Sequence, residues 1–379
     1  RGHSSPVVWG EHLFVTTAVP VGEALAPRPS KMDGAHDNQQ VTHRQRYVVL
    51  AYERRTGALA WETTVREDVP HDTAHVSGGY ASASPITDGE HLFASFGSEG
   101  LYALDMEGEV VWSVDLGDMR VKHSHGEGSG PALDGDTLVI NWDHEGDSFL
   151  VALDKANGEE RWRVARDEPT SWATPIVVGV GERRQVIVPG TNRLRGYDLE
   201  DGSVVWECGG LSHNVVASPV SADGIVVAAS SYEKQAMLAI ALEGAEGDLT
   251  AGGEHLLWTR RRRTPYVPSL LLYRGVIYNF VHYQANLCRT NLATGDGGLG
   301  TQRLEGLGSL YASPVAAAGR VYMTDMEGAT LVLEHGPIDE TPNFLARNQL
   351  ADSFSASAAV AGKELYLRGD RFLYCLAED

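Results

Sequence analysis

The sequence is poor in the residues from which reactive centres are usually built. Three cysteines, Cys208, Cys288 and Cys375, are spread over 379 residues, with no Cys-x-x-Cys and no vicinal pair. That excludes the usual redox and zinc-ribbon signatures, and three small buried residues are expected. An odd count leaves at least one free thiol in a monomer. No Gly-x-Ser-x-Gly nucleophile elbow occurs; SHGEGSG comes nearest and lacks a strand-to-helix context. Basic charge is scarce, with 31 Lys and Arg against 51 Asp and Glu, a net charge of -20. Such a surface repels nucleic acid and anionic membranes. No apolar run approaches the length of a membrane span. No secretion leader is visible, and the chain begins at Arg1.

What the chain does have is a 42% apolar fraction, enough for a large core, and repetition. Gly-x-x-x-Trp appears at Gly57–Trp61, Gly108–Trp112, Gly158–Trp162 and Gly202–Trp206, after β-like runs such as YALDMEG, VALDKANG and GYDLEDG. Asp105, Asp154 and Asp198 open the turns, where a carboxylate bonds backbone amides and the glycine supplies a positive φ. RTNLATG, ending at Gly295, is a degenerate copy, and Trp258 closes another after an insertion.

A second landmark, ASP or a variant, recurs ahead of each unit at Pro6, Pro85, Pro131, Pro175, Pro219, Leu270, Pro314 and Ala358. From Pro85 the steps are 46, 44, 44, 51, 44 and 44 residues. The order within a unit is strand, turn, strand, loop, strand, Asp-turn-Gly, strand with Trp. Four antiparallel strands in about 44 residues is the size of a propeller blade.

Eight landmarks predict an all-β, eight-bladed β-propeller, a single domain over 1–379. Residues 20–46, rich in Pro and polar groups, form a long inserted loop in blade 1. The last blade has only three strands, so a strand upstream of Arg1 is expected to complete it. Without that strand the blade keeps an exposed edge.

VALDKANGEERW and its looser copies resemble the pyrroloquinoline-quinone-like (BamB-type) β-propeller repeat family, in its uncharacterised extracytoplasmic branch. The resemblance covers nearly the whole chain. It implies the eight-bladed fold, and structural Trp61, Trp112, Trp162, Trp206 and Trp258 packed between blades. It also implies a periplasmic or secreted location, with membrane association through an N-terminal anchor outside this chain. The family includes both quinoprotein dehydrogenases and non-catalytic propellers, so the repeat alone implies no bound quinone.

In a propeller the loops approaching innermost strands and those joining second to third strands open on one face. His3, His71, His75, His123, His125 and His213 fall in the first class, and His36, His43, His144 and His282 in the second. These are ten of fourteen histidines. The same segments hold Tyr80, Asn141, Trp172, Arg193, Arg195, Asn214, Tyr232, Tyr266, Tyr283, Tyr311 and Phe354. A mixture of aromatics, His, Arg and Asn suits a face that binds a protein or a small molecule. The competing reading is a funnel lining whose polar groups satisfy one another.

KHSHGEGSGP, Lys122–Pro131, is first of all a copy of the repeat's strand approach, decorated with more ligand-type side chains than its siblings. NWDHEGD belongs to the same blade, so His123, His125, Glu127, Asp143 and His144 are candidate metal ligands, although no established spacing such as His-Glu-x-x-His is present. The run Arg260–Arg263 is expected to be a solvated strand end paired with carboxylates, or else a site for an anion.

The function expected from these residues is a non-catalytic binding or scaffold propeller without a cofactor. A quinoprotein dehydrogenase with pyrroloquinoline quinone and calcium is the alternative, with Trp172 stacking and Asn141 and Asp143 as calcium ligands. It lacks the adjacent cysteines those enzymes use. A hydrolase or lyase using His123, His125 or His144 is the third reading.

Overall fold

A computed structural model describes residues 2–30 and 32–377. They form an all-β, eight-bladed propeller. Residues 1–170 and 171–379 are two compact units. The first holds blade 1 (Val7–Trp9, His12–Val21, Arg44–Glu53, Leu59–Asp68), blade 2 (Ile86–Thr87, His91–Ser95, Leu101–Asp105, Val110–Val114) and blade 3 (Ala132–Asp134, Thr137–Trp142, Phe149–Asp154, Glu160–Ala165). The second holds blades 4 to 8, beginning with Ile176–Val180. Blade 8 has three strands, Ala359–Ala361, Glu364–Arg368 and Leu373–Ala377. The four strands of each of blades 1 to 7 run antiparallel to their neighbours; most pairs close through short local turns, while residues 22–43 join the second and third strands of blade 1 and residues 242–255 the third and fourth of blade 5.

The core lies between successive blades. In the first unit Phe14, Tyr47 and Val49 of blade 1 meet Leu92, Ala94, Phe96 and Leu104 of blade 2. In the second, blades 4 and 5 share one such cluster and blades 6 and 7 another. Alternation along each strand turns one row of apolar residues to each neighbour, and so both faces of a central blade are buried.

The Asp turns form as the pattern predicts. Asp105 Oδ1 accepts from the amides of Glu107 and Glu109, Asp154 Oδ1 from that of Ala156, and Asp198 Oδ1 from that of Glu200. Gly108, Gly158 and Gly202 take φ of 93°, 74° and 74°. Two of these glycines have a second duty. A Cβ on Gly108 would stand 2.6 Å from the ring of Trp61, and one on Gly158 would stand 2.7 Å from Trp112. Each indole N–H then donates into the next blade's turn, Trp61 to the Met106 carbonyl and Trp112 to that of Lys155, both at 2.9 Å. Trp258 repeats this on Gly295 and the Leu292 carbonyl.

A one-residue bulge precedes each of these tryptophans, between Val110 and Trp112 for example. The same bulge recurs in the outer strands of blades 1, 3, 4, 5 and 7. The extra residue sharpens the local twist and re-aims the side chain that follows.

Trp206 departs from the expected arrangement. Its indole N–H bonds Gln185 Oε1 in its own blade, and the ring lies on Gly196, where a Cβ would be 2.3 Å away. The other blades have alanine opposite the tryptophan, as at Ala103 and Ala152. Glycine at 196 lets the ring lie flat, and the insertion after blade 5's third strand covers it. Gly247–Asp248 pairs in parallel with Trp206 and Glu207, while Leu242, Ala245 and Leu249 pack on the ring.

Three further details differ from expectation. The insertion in blade 1 is shorter at both ends, because strands continue to Val21 and from Arg44, which are register partners. The remainder is a strap with its own ladder, Asn38–Gln39 on Ala74–His75, and a buried Val41. Cys208 and Cys288 are buried as expected, but Cys375 is exposed, since it lies on the open outer strand of blade 8.

The close approach of Trp112 predicts a graded glycine series. Gly158→Ala must strain a positive φ and displace the ring, costing about 2–4 kcal/mol in urea unfolding. Gly135→Ala has a φ of 55° but nothing within 4 Å, and is expected to cost about 1 kcal/mol.

Candidate functional site

In the first unit the strap brings three chain segments together. His36 from the strap lies 4.6 Å from His123 and 5.0 Å from His125, between ring centroids. His123 and His125 are 5.3 Å apart, and His75 is 4.6 Å from His125. Burial, and then the neighbouring imidazoles, push His125 down to about 4, and burial lowers His75 as well. His75 and the 123–125 pair were candidates from sequence, but His36 was noted only for its loop. Its partnership depends on how the strap folds back.

The other expected metal ligands go elsewhere. Glu127 accepts from the amide and hydroxyl of Ser98, at 2.6 and 2.5 Å. Asp143 forms a fully buried pair with Arg166, whose Nε and Nη2 reach its two oxygens at 2.7 and 3.0 Å. His144 is buried, and its Nδ1 accepts from the Arg120 amide at 3.0 Å. His123, His125, Glu127, Asp143 and His144 therefore do not converge on one point. The same pairing removes Asp143 as a ready calcium ligand, because its carboxylate is already neutralised without solvent. Asn141 sits buried within a blade 3 strand.

A charge network that sequence reading missed lies beside this region. Arg66 Nε is 3.2 Å from Glu99, and His71 stands between Glu99 at 3.7 Å and Glu127 at 3.5 Å. His71 Nε2 also donates to the Met119 carbonyl at 3.1 Å. Burial works against charge on His71, but bonding to Glu99 and the field of Glu127 outweigh it and push its pKa up to about 9. Burial pushes the Glu127 carboxyl up, against the pull of His71 and Ser98. Tyr80, half-buried against the blade 1–blade 2 core, is raised to about 12 by burial.

In the second unit the aromatics form a run across three blades. Tyr232 stacks on Tyr266 at 5.7 Å, Tyr266 meets His282 edge-on at 5.2 Å, His282 meets Tyr283 at 5.5 Å, and Tyr283 meets Tyr311 at 5.9 Å. All are partly exposed. Asn214 is buried beneath and bonds Tyr266. His213 faces Glu233 at 3.8 Å. Arg195 is buried and bonds Glu207 at 2.9 Å, while Arg193 reaches Glu207 and Asp248. Trp172 is half-buried, its amide donating to the Val215 carbonyl. Phe354 is fully buried on Tyr374 and belongs to the core, not to a binding surface.

The arginine run also differs from expectation. Arg260 donates to Thr290 Oγ1 and the Gly295 carbonyl, and Arg261 donates to the Gly210 carbonyl. Among the described residues none of the four guanidiniums is within ion-pair distance of a carboxylate. Asp88, Glu90 and His91 do gather ligand atoms on a blade 2 turn, but Lys155 already sits among them, 2.7 Å from Asp88. A groove of about 830 Å³ lies along blades 7 and 8, lined by Tyr322, Val332, Leu345, Val360, Leu365 and Leu376. It runs between the outer strand of blade 7, Phe344–Gln349, and the third strand of blade 8, Leu373–Ala377. Among the described residues no helix is long and apolar enough to cross a membrane.

Two outcomes are expected here. Asp143→Ala or Arg166→Ala alone costs about 3–5 kcal/mol in urea unfolding, and the double Asp143→Leu/Arg166→Met costs far less. The raised pKa of His71 contributes stability that is fully present below its ordinary value of 6.5 and is lost as pH rises through about 9. Thermal midpoints measured from pH 6 to 10 therefore fall more steeply for the native chain than for His71→Gln.

A profile of the family described as outer membrane protein assembly factor BamB matches residues 7–147 and 146–377. Among solved structures, BamB from Moraxella catarrhalis is similar with a TM-score of 0.61 and 18% identity, over 95% of this chain and 97% of that one. The computationally designed Ika8 protein gives 0.61 and 12%, over 94% and 100%. A europium-containing methanol dehydrogenase gives 0.64 and 10%, over 99% and 82%. At these identities the structural likenesses speak to fold alone. No curated protein matches.

Proposed function

The chain belongs to the family of the outer membrane protein assembly factor BamB, and from that premise we propose that it is a non-catalytic β-propeller that binds protein segments outside the cytoplasm. The observation that carries this reading is the aromatic run Tyr232, Tyr266, His282, Tyr283 and Tyr311. Loops of three blades present it partly exposed, over a rigid buried support. Tyrosines held by neighbours lose little entropy on binding, and they offer apolar area with a polar tip. A scaffold with no nucleophile motif, presenting such a surface, suits recognition better than chemistry. The family's name, an assembly factor of the outer membrane, supports a protein partner and an extracytoplasmic location.

A quinoprotein dehydrogenase is less well supported. The methanol dehydrogenase likeness is one of fold, adjacent cysteines are missing, and Asp143 is held by Arg166. Titration with calcium and pyrroloquinoline quinone is expected to leave tryptophan fluorescence unchanged. Saturable quenching lost in Trp172→Ala would reverse the ranking.

The direct test places a photo-crosslinking amino acid at Tyr283, and at Val111 on an outer strand as control, with cell-envelope proteins as bait. Adducts are expected from position 283 only. Tyr266→Ala combined with Tyr311→Ala should reduce their yield about 10-fold or more, as expected for aromatic anchors. Equal labelling from both positions, or none from 283, refutes a partner at this surface.

A further inference from the structure

We propose that Arg260, Arg262 and Arg263, at and just past the end of blade 5's outer strand, form with the glycine-rich turn 295–298 of blade 6 a binding site for a doubly charged phosphoryl group. The site does not rest on the aromatic run.

The repeat itself marks the place. In blades 1 to 4 the outer strand starts two residues after the turn glycine: Leu59 follows Gly57, Val110 follows Gly108, Glu160 follows Gly158 and Val204 follows Gly202. In blade 6 the turn glycine is Gly295, and the outer strand starts only at Thr301. The residues between include Gly297, Gly298 and Gly300. A pocket of about 510 Å³ lies between this turn and the arginines, lined by residues 259–263 and 295–298. Missing side chains make the room. A Cβ on Gly297 would stand 3.2 Å from Arg260 Nη2, and one on Gly300 would stand 2.7 Å from Arg263 Nη1.

Charge is the second argument. The chain carries 51 acidic residues and a net charge of -20, yet the arginines here are answered only by neutral oxygens. Arg260 donates to Thr290 Oγ1 at 2.7 Å and to the Gly295 carbonyl at 2.8 Å, and Arg261 donates to the Gly210 carbonyl. Among the described residues the guanidiniums of Arg262 and Arg263, which line the same pocket, bond nothing in the protein. Burial, and the charges of Arg263 and Arg262, lower the Arg260 guanidinium against the pull of Cys288 and Asp296. Asp296 is the one carboxylate lining the pocket, and its Oδ1 accepts from the Gly298 amide at 3.1 Å. Like charges gathered without a paired carboxylate are offset by an anion from outside.

The donors select the kind of anion. Forked guanidiniums match the oxygens of a tetrahedral oxyanion, and a phosphoryl group brings up to two charges where a carboxylate brings one. The backbone beside them is fixed. Arg263 is held at a φ of 61°, which a non-glycine residue keeps only where its surroundings impose it. Its amide donates to Gln235 Oε1, and its carbonyl accepts from Nδ2 of the buried Asn279 at 3.0 Å.

The test is calorimetric titration of the whole chain at low ionic strength with inorganic phosphate and with glycerol 3-phosphate. Saturable binding of one ligand per chain is expected. Equal affinities identify the free ion as the ligand. A preference of about 10-fold for the ester identifies a phosphorylated headgroup, and retention on vesicles containing phosphatidic acid, but not on phosphatidylcholine alone, marks that headgroup as a lipid's. Arg262→Gln and Arg263→Gln should each weaken binding about 10-fold. Asp296→Asn keeps the acceptor for Gly298, removes the one negative charge, and should tighten binding about 3-fold. Arg183→Gln, at an exposed arginine of blade 4, should leave it unchanged. Saturating phosphate should raise the thermal midpoint of the native chain more than that of Arg262→Gln, a readout that also verifies that the variant folds. No saturable binding of either ligand, affinity unchanged in Arg262→Gln, or an equal loss in Arg183→Gln would overturn the proposal.

Discussion

A main-chain amide at the approach to each blade must find an acceptor, because it is turned toward the next blade and away from water. In the second unit a serine of that next blade meets this need every time. The amide of Thr174 donates to Ser218 Oγ, that of Ser218 to Ser269, that of Ser269 to Ser313 and that of Ser313 to Ser357, all at 2.9–3.0 Å. Ser5 and Ser84 form the same contact in the first unit at 2.8 Å. Ser218, Ser269 and Ser313 thus each accept from one blade through the side chain and donate to another through the backbone. An unsatisfied buried amide costs about 1–3 kcal/mol, so the relay sets the angular step between blades. The serine just before the landmark position at Pro85, Pro219, Leu270, Pro314 and Ala358 is this clasp.

With the inner ends joined in this way, the outer strands are positioned by the tryptophans. A bulge turns each ring, a glycine of the next Asp turn makes room for it, and a carbonyl there accepts its N–H. Blade 4 shows that the two devices are separable. Its clasp is intact, yet Trp206 lies over its own sheet, because Gly196 removes the methyl that would hold the ring away and an inserted turn covers it. The inner relay tolerates this change, and the outer face is where the architecture accepts variation.

The two insertions show how a repeat acquires individuality. One caps Trp206 and lengthens the sheet of blade 4. The other crosses from blade 1 to the approaches of blades 2 and 3 and carries His36 to two other imidazoles, those of His123 and His125. Both attach through short ladders that satisfy their own backbone groups, and so neither disturbs the blade it leaves.

The architecture was legible in the residues because its signals are local. A 44-residue period, an Asp turn with a positive-φ glycine and a tryptophan four residues after that glycine are all short-range chemistry. Even the exception of blade 4 is written at Gly196. The strand approaches and second-to-third connections rich in histidine were legible as segments of the repeat. Which histidines meet was not. His144 and Asp143 share a heptapeptide with no sign that one would bind an amide and the other Arg166, partners 24 and 23 residues away. Phe354 sits in a copy of the same approach as Tyr311, yet it is buried while Tyr311 is partly exposed. By itself the sequence determined the blade and its count, because those follow from spacing. Only the tertiary structure decided which of the unusual side chains pair, which are buried and which face outward. Those choices depend on distances between segments far apart in the chain, and a periodic pattern does not encode them.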